Sequence, residues 1–206
     1  LAARIGAVNT IVHRDGLLFG YNTDAPGLLQ TLVEQGIGQP NNTTTISLQG
    51  YTAILLGAGG AARGAAFALS SASLTRLMIV NRRLDRAQHL ASELQQHIDC
   101  HALNLNDLHL LQPAANSLIL NATSVGMHED TSLLSLEILA RFPPDTLVFD
   151  MIYNPRETKL LGQARTLGLR TLNGLPMLLH QGALSFTLWT QQPAPLVIMR
   201  QALLSA

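Results

Sequence analysis

Apolar positions along the chain come in two patterns, short unbroken runs and longer stretches where they recur every three or four residues. From Tyr51 onward the runs TAILL (52–56), RLMIV (76–80), SLIL (117–120) and TLVF (146–149) are continuously apolar, as in parallel strands buried on both faces. Helical patterns lie between them at 61–71 and 84–94, and a further helix (159–167) and strand (170–172) extend the series. This alternation predicts an α/β fold, a Rossmann-like doubly wound parallel sheet. Residues 175–206 read as two helices broken at Gln191-Gln192-Pro193-Ala194-Pro195. Upstream, 7–13 and 17–21 are β-prone and joined by Arg14-Asp15-Gly16, a hairpin signal. A helix is expected from Asp24 to about Gln35, and GQPNNTTTISLQG (38–50) reads as a surface loop.

Composition narrows the partners. Twelve arginines and one lysine balance thirteen acids, so no basic surface argues for nucleic acid or an anionic membrane, and a small-molecule partner is expected. Cys100 is the single cysteine and cannot pair within the chain. No apolar run reaches the roughly 18 to 20 residues that span a bilayer, and no secretory pattern opens the chain, so a cytoplasmic protein is the default expectation. The start at Leu1, directly in a strand-like stretch, reads as a piece of something longer.

The segment ILLGAGGAARGAAFAL sets Gly57, Gly59 and Gly60 between a buried strand and a helix, with Ala62 at the third fingerprint position. Helix-start N–H groups can meet a pyrophosphate there, and glycines let the phosphate approach; a plain tight turn is the alternative. After the next strand come Asn81-Arg82-Arg83-Leu84-Asp85-Arg86. Guanidiniums at a strand tip accommodate a 2′-phosphate, whereas an acid would bond a free ribose hydroxyl, so NADP is favoured over NAD. Asp85 either pairs with an arginine or caps the helix.

Two more strands end in Asn121-Ala122-Thr123-Ser124-Val125-Gly126-Met127 and Asp150-Met151-Ile152-Tyr153-Asn154-Pro155. Carboxyl ends of strands in an open sheet face one crevice, so both segments should meet the same ligand, Met151 offering a soft contact to a ring. His180 is expected to be a packed or surface residue, and HIDCH (97–101) to be surface, with no metal site.

The remaining stretch, Gly20-Tyr21-Asn22-Thr23-Asp24-Ala25-Pro26-Gly27, places an acid at a helix start, where the plain reading is an N-cap. The ordered set GAVNT, GYNTDAPG, GAGGAARG, NRRLDR, NATSVGM, DMIYNP and NGLPMLLHQG, however, resembles shikimate dehydrogenase from about Gly6 to Thr190. The resemblance implies NADP-dependent interconversion of 3-dehydroshikimate and shikimate, in chorismate and aromatic amino-acid biosynthesis. It implies substrate-hydroxyl ligands at Asn9 and Asp24, with Asp24 also the acid of a catalytic Lys–Asp pair. It further implies a pyrophosphate loop at Gly57, Ala58, Gly59, Gly60 and Ala61, and a 2′-phosphate site at Asn81, Arg82 and Arg86, with Arg83 beside them. Thr123, Met151, Gly174 and Met177 match the nicotinamide half, and Tyr153 and Gln181 match residues that reach substrate. Ala25 departs from the family's more frequent glycine without touching the carboxylate.

The family's catalytic lysine lies upstream of AVNT, and the only lysine here, Lys159, matches no catalytic position. The expected organisation is a remnant of an α/β substrate-binding domain over 1–24, an NADP-binding domain over 25–174, and C-terminal helices over 175–206 that return to the substrate domain. The chain by itself is expected to bind NADP without turnover, as a monomer or homodimer. A quinate/shikimate dehydrogenase using NAD or NADP, or a nucleotide-binding module without catalysis, are the competing readings.

Overall fold

A computed structural model describes residues 1–40 and 46–205. A short helix α1 (Ala2–Ile5) leads into a hairpin of β1 (Thr10–Arg14) and β2 (Leu17–Tyr21), then α2 (Asp24–Glu34). The strands β3 (Gln39–Pro40) and β4 (Ile46–Ser47) form a two-residue antiparallel ladder where a loop is expected; residues 41–45 of that stretch lie outside the described residues. Then follow β5 (Thr52–Leu56), α3 (Gly60–Ser71), β6 (Arg76–Asn81), α4 (Leu84–Leu94), β7 (Asp99–Asn104) and a 3₁₀ helix (Leu105–Leu110). The chain continues through β8 (Ser117–Asn121), α5 (Leu136–Leu139), β9 (Leu147–Asp150), α6 (Lys159–Thr166), β10 (Arg170–Leu172), α7 (Leu175–Thr190) and α8 (Leu196–Ser205).

Six of these strands make one parallel sheet in the order β10-β9-β8-β5-β6-β7. The unbroken apolar runs are explained by its two faces: Ala53 and Leu55 of β5 pack into the core under α2, α3 and α4, while Ile54 and Leu56 pack into the one under α5 and α6. The chain runs outward from β5 to β7 and then crosses back to β8, so the order reverses between β5 and β8. The glycine loop follows one of these strands and Ala122-Thr123 the other, which puts both at the topological switch point where such sheets bind ligands.

Two expectations are corrected here. HIDCH is only partly surface: His97, Asp99 and His101 are exposed, but Asp99–Asn104 is the edge strand β7, and Ile98 and Cys100 are buried in the core, where burial pushes the Cys100 thiol up to about 12. A six-residue strand with only Cys100, Ala102 and Leu103 apolar carries too weak a pattern to stand out. The first hairpin strand begins at Thr10 rather than near Ala7; just before it, Asn9 Oδ1 accepts from the Thr23 backbone N–H at 2.9 Å. Among the described residues no helix is long and apolar enough to cross a membrane, and no cluster of three or more His, Cys, Asp or Glu could hold a metal.

Candidate active site

Asp24 opens α2 without capping it. Thr23 stands at the cap position, but its side chain makes no capping bond, and it is Asn22 Oδ1 that accepts from Ala25 N at 3.1 Å. The Asp24 carboxylate points elsewhere, accepting from Asn9 Nδ2 at 2.8 Å. Burial raises its pKa above the ordinary value and the Asn9 bond pulls it down, with burial prevailing.

A buried cluster of hydroxyls holds this pair. Thr10 Oγ1 lies 2.7 Å and Thr23 Oγ1 3.0 Å from Ser185 Oγ, and Ser185 Oγ itself donates to the Gln181 carbonyl at 3.0 Å. Asn9 Nδ2 donates to Thr23 Oγ1 at 2.9 Å as well as to Asp24, which orients its amide. These three hydroxyls were missed in the sequence, although Thr10 and Thr23 adjoin Asn9 and Asp24, and Ser185 falls one helical turn after Gln181, on the same face.

Helix α7 can approach this close because Gly27 lies where it crosses α2. A Cβ on Gly27 would stand 2.9 Å from Gln181 N. Gly174, just before α7, is constrained too, since a Cβ there would run into the Met151 carbonyl oxygen. Gly174 N also donates to Ile152 O at 2.9 Å.

These packings produce a cavity of about 280 Å³ lined by Asn9, Asp24, Ala61, Met151, Tyr153, Gly174, Met177, Leu178 and Gln181. Five separate stretches of sequence therefore converge: the residue before β1, the start of α2, the start of α3, the loop after β9 and the start of α7. Its lining combines the polar side chains of Asn9, Asp24 and Gln181 with the thioethers of Met151 and Met177, a mixture suited to polar rings.

The glycine loop borders it through Ala61. Gly57 has φ of 114°, and a Cβ there would meet Thr123 Cγ2 at 3.0 Å and Ala122 O at 3.1 Å. By contrast, a Cβ on Gly59 or Gly60 would meet nothing within 4 Å. No side chain caps the start of α3, so its first N–H groups face that open space, an arrangement that fits a pyrophosphate.

The residues at the tip of β6 do not line the cavity. Asn81 Nδ2 donates to Arg83 O at 2.9 Å, and Arg83 pairs with Asp85 at 2.8 Å. Asp85 is thereby neutralised, while Arg82 and Arg86 have no ion-pair partner among the described residues. Arg63 of the GAARG segment is otherwise engaged, in a bidentate bond to Glu93 at 2.8 and 2.9 Å. His180 is buried, its Nε2 3.1 Å from Glu34, and does not line the cavity.

Comparison with known proteins places the chain among relatives. The family model described as Shikimate / quinate 5-dehydrogenase matches residues 41–165, and that of the Shikimate 5'-dehydrogenase C-terminal domain matches residues 174–204. The shikimate dehydrogenase (NADP(+)) of Symbiobacterium thermophilum is 41% identical over 209 residues, an alignment that takes in 100% of this chain and 68% of the relative. Among solved structures, the shikimate 5-dehydrogenase of Listeria monocytogenes in complex with shikimate and NAD superposes with a TM-score of 0.85 at 32% identity, covering 98% of this chain and 69% of that one. The enzyme of Thermus thermophilus in complex with NADP(H) and shikimate superposes with a TM-score of 0.79 at 39% identity, covering 99% and 70%.

Proposed function

This chain belongs to the shikimate / quinate 5-dehydrogenase family, and from that premise we propose that its cavity takes part in the reversible reduction of 3-dehydroshikimate to shikimate. The protein is an oxidoreductase and its cofactor is NADP. Bound NADP supplies hydride exchange at the carbon that carries the reacting oxygen. Gly57, Ala58, Gly59, Gly60 and Ala61 receive the pyrophosphate at the start of α3. Asn81, Arg82 and Arg86 take the 2′-phosphate, with Arg83 holding Asp85 away from it; a paired Asp85 favours NADP over NAD, because no free carboxylate opposes the phosphate. Thr123, Met151, Gly174 and Met177 border the nicotinamide half.

On the facing wall, Asn9, Asp24, Tyr153 and Gln181 hold the substrate. Asp24 binds a ring hydroxyl and orients a cationic proton carrier. That carrier is not Lys159, which donates to the Asp130 carbonyl at 3.0 Å and borders other cavities. We therefore read these 206 residues as a cofactor domain (25–174) with parts of the substrate side (1–24 and 175–206), turnover requiring a lysine they do not contain. The observation that carries the reading is the convergence of Asn9, Asp24 and Gln181 with Met151 and Met177 in one cavity.

Calorimetric titration with NADP and then NAD tests it, followed by an assay of shikimate oxidation. NADP is expected to bind about tenfold or more tighter than NAD, the worth of one or two charge-assisted hydrogen bonds. The double substitution Arg82→Ala, Arg86→Ala should abolish the preference without abolishing NAD binding. No oxidation is expected from the chain alone; turnover would mean that another group carries the proton.

A further inference from the structure

Asp150 ends β9 with 0% exposure, the one acid in the buried class among the described residues, and the proposed reaction gives it no task. All its partners are donors. Oδ1 accepts from Asn121 Nδ2 at 3.0 Å and from Ile152 N at 3.1 Å, and Oδ2 accepts from Thr158 Oγ1 at 2.6 Å. Burial pushes this carboxyl up, while the three hydrogen bonds act in the opposite direction.

The consequence passes through Asn121. Its Nδ2 also donates to Val125 O at 3.2 Å, so both amide protons are committed and its Oδ1 must face Thr123. That oxygen accepts from Thr123 N at 3.1 Å and from Thr123 Oγ1 at 2.7 Å. The Thr123 methyl is thereby set against the Gly57 turn. On the other side of Asp150, Met151 N donates to Asn121 O at 3.0 Å, and the Met151 carbonyl packs on Gly174.

We infer that Asp150 is a positioning residue for the nicotinamide half of the cofactor site, fixing the Asn121 amide and through it Thr123, and holding Met151 at the cavity wall. It touches neither cofactor nor substrate. The inference rests on the reading that Thr123 and Met151 border the nicotinamide, while the arginines at the tip of β6 serve the opposite end of the molecule.

That division supplies the test. The chain and its variants are titrated calorimetrically with NADP and with adenosine 2′,5′-bisphosphate, which carries only the adenosine end. Asp150→Asn brings an NH₂ group against a donor in either flip state, because both carboxylate oxygens already receive donors. NADP affinity should fall about tenfold or more while the bisphosphate binds as before. Thr158→Val withdraws a single donor from the same carboxylate and should give the same split to a smaller degree, keeping the test open if Asp150→Asn does not fold. Equal losses for both ligands, or no loss for either in a variant that melts cooperatively, would overturn the positioning role. If the unsubstituted chain binds the bisphosphate as tightly as NADP, the nicotinamide reading itself fails, and the inference with it.

Discussion

Asp24 sits between two opposing influences, a half-buried setting that disfavours its charge and a single amide donor that favours it. Burial wins, so its carboxyl titrates above the ordinary carboxylate value. The linkage sign follows: stability from this raised value is fully present below the unfolded pKa and is lost as pH rises through the folded one. Carbon-detected NMR titration of the Asp24 carboxyl should place its midpoint above that of exposed aspartates, and Asn9→Ala should move it higher still, since the substitution removes the one lowering influence. A midpoint that falls on Asn9→Ala would mean that Asn9 does not hold the carboxylate. The residue types at this site were legible, because each stands in a short polar motif between apolar runs. Their partners were not: Ser185 lies 175 positions from Thr10, and nothing local marks it as the third hydroxyl of that cluster.

Among the elements, the pairing of α2 with α7 decides the shape of the cavity. Gly27 and Gln181 meet at that crossing, so Gly27→Ala forces the helices apart or distorts α7. Overpacking of this kind costs about 1–3 kcal/mol. For a chain of this size that is a fall in Tm of roughly 2–4 °C per kcal/mol, measurable by calorimetry. A second tie joins α2, α7 and α8 through Glu34, which accepts from Arg200 at 2.8 Å and lies 3.1 Å from His180 Nε2. Burial raises Glu34, but the adjoining His180 ring and the hydrogen bond from Arg200 outweigh that and hold it below the ordinary value. The stability it contributes is present above the unfolded pKa and lost as pH falls through the folded one. Protection factors against hydrogen exchange over 196–205 should therefore fall in acid, once the intrinsic pH dependence of exchange is divided out, and Arg200→Ala should lower them likewise at neutral pH. The elements themselves were largely readable, α4 (Leu84–Leu94) and β10 (Arg170–Leu172) to the residue. The edge strand β7 was not, since hydrogen bonding to β6, rather than any apolar run of its own, makes it a strand.

At the scale of the whole molecule, two pairs of neighbouring apolar residues stand open among the described residues. Leu17 and Leu18 of β2 are 62% and 72% exposed, and Val197 and Ile198 of α8 are 70% and 66% exposed. A two-stranded ribbon has no second layer to cover it, and contiguous exposed apolar patches favour association. Sedimentation velocity should show self-association that grows with protein concentration, and Leu18→Lys with Val197→Lys should shift the chain toward monomer. A concentration-independent monomer would mean that these patches are solvated singly. By itself the sequence determined the strand–helix alternation, the glycine loop and the arginine tip, because each is written in contiguous residues whose periodicity and turn chemistry act locally. Only the tertiary structure decided that Asp24 is held by Asn9 rather than spent on a helix cap, and that Asp150 braces Asn121 and Thr123. Those outcomes depend on which side chains folding brings within hydrogen-bond distance, set for Asn9 and Asp24 by the antiparallel hairpin and for Asp150 and Asn121 by a parallel crossover.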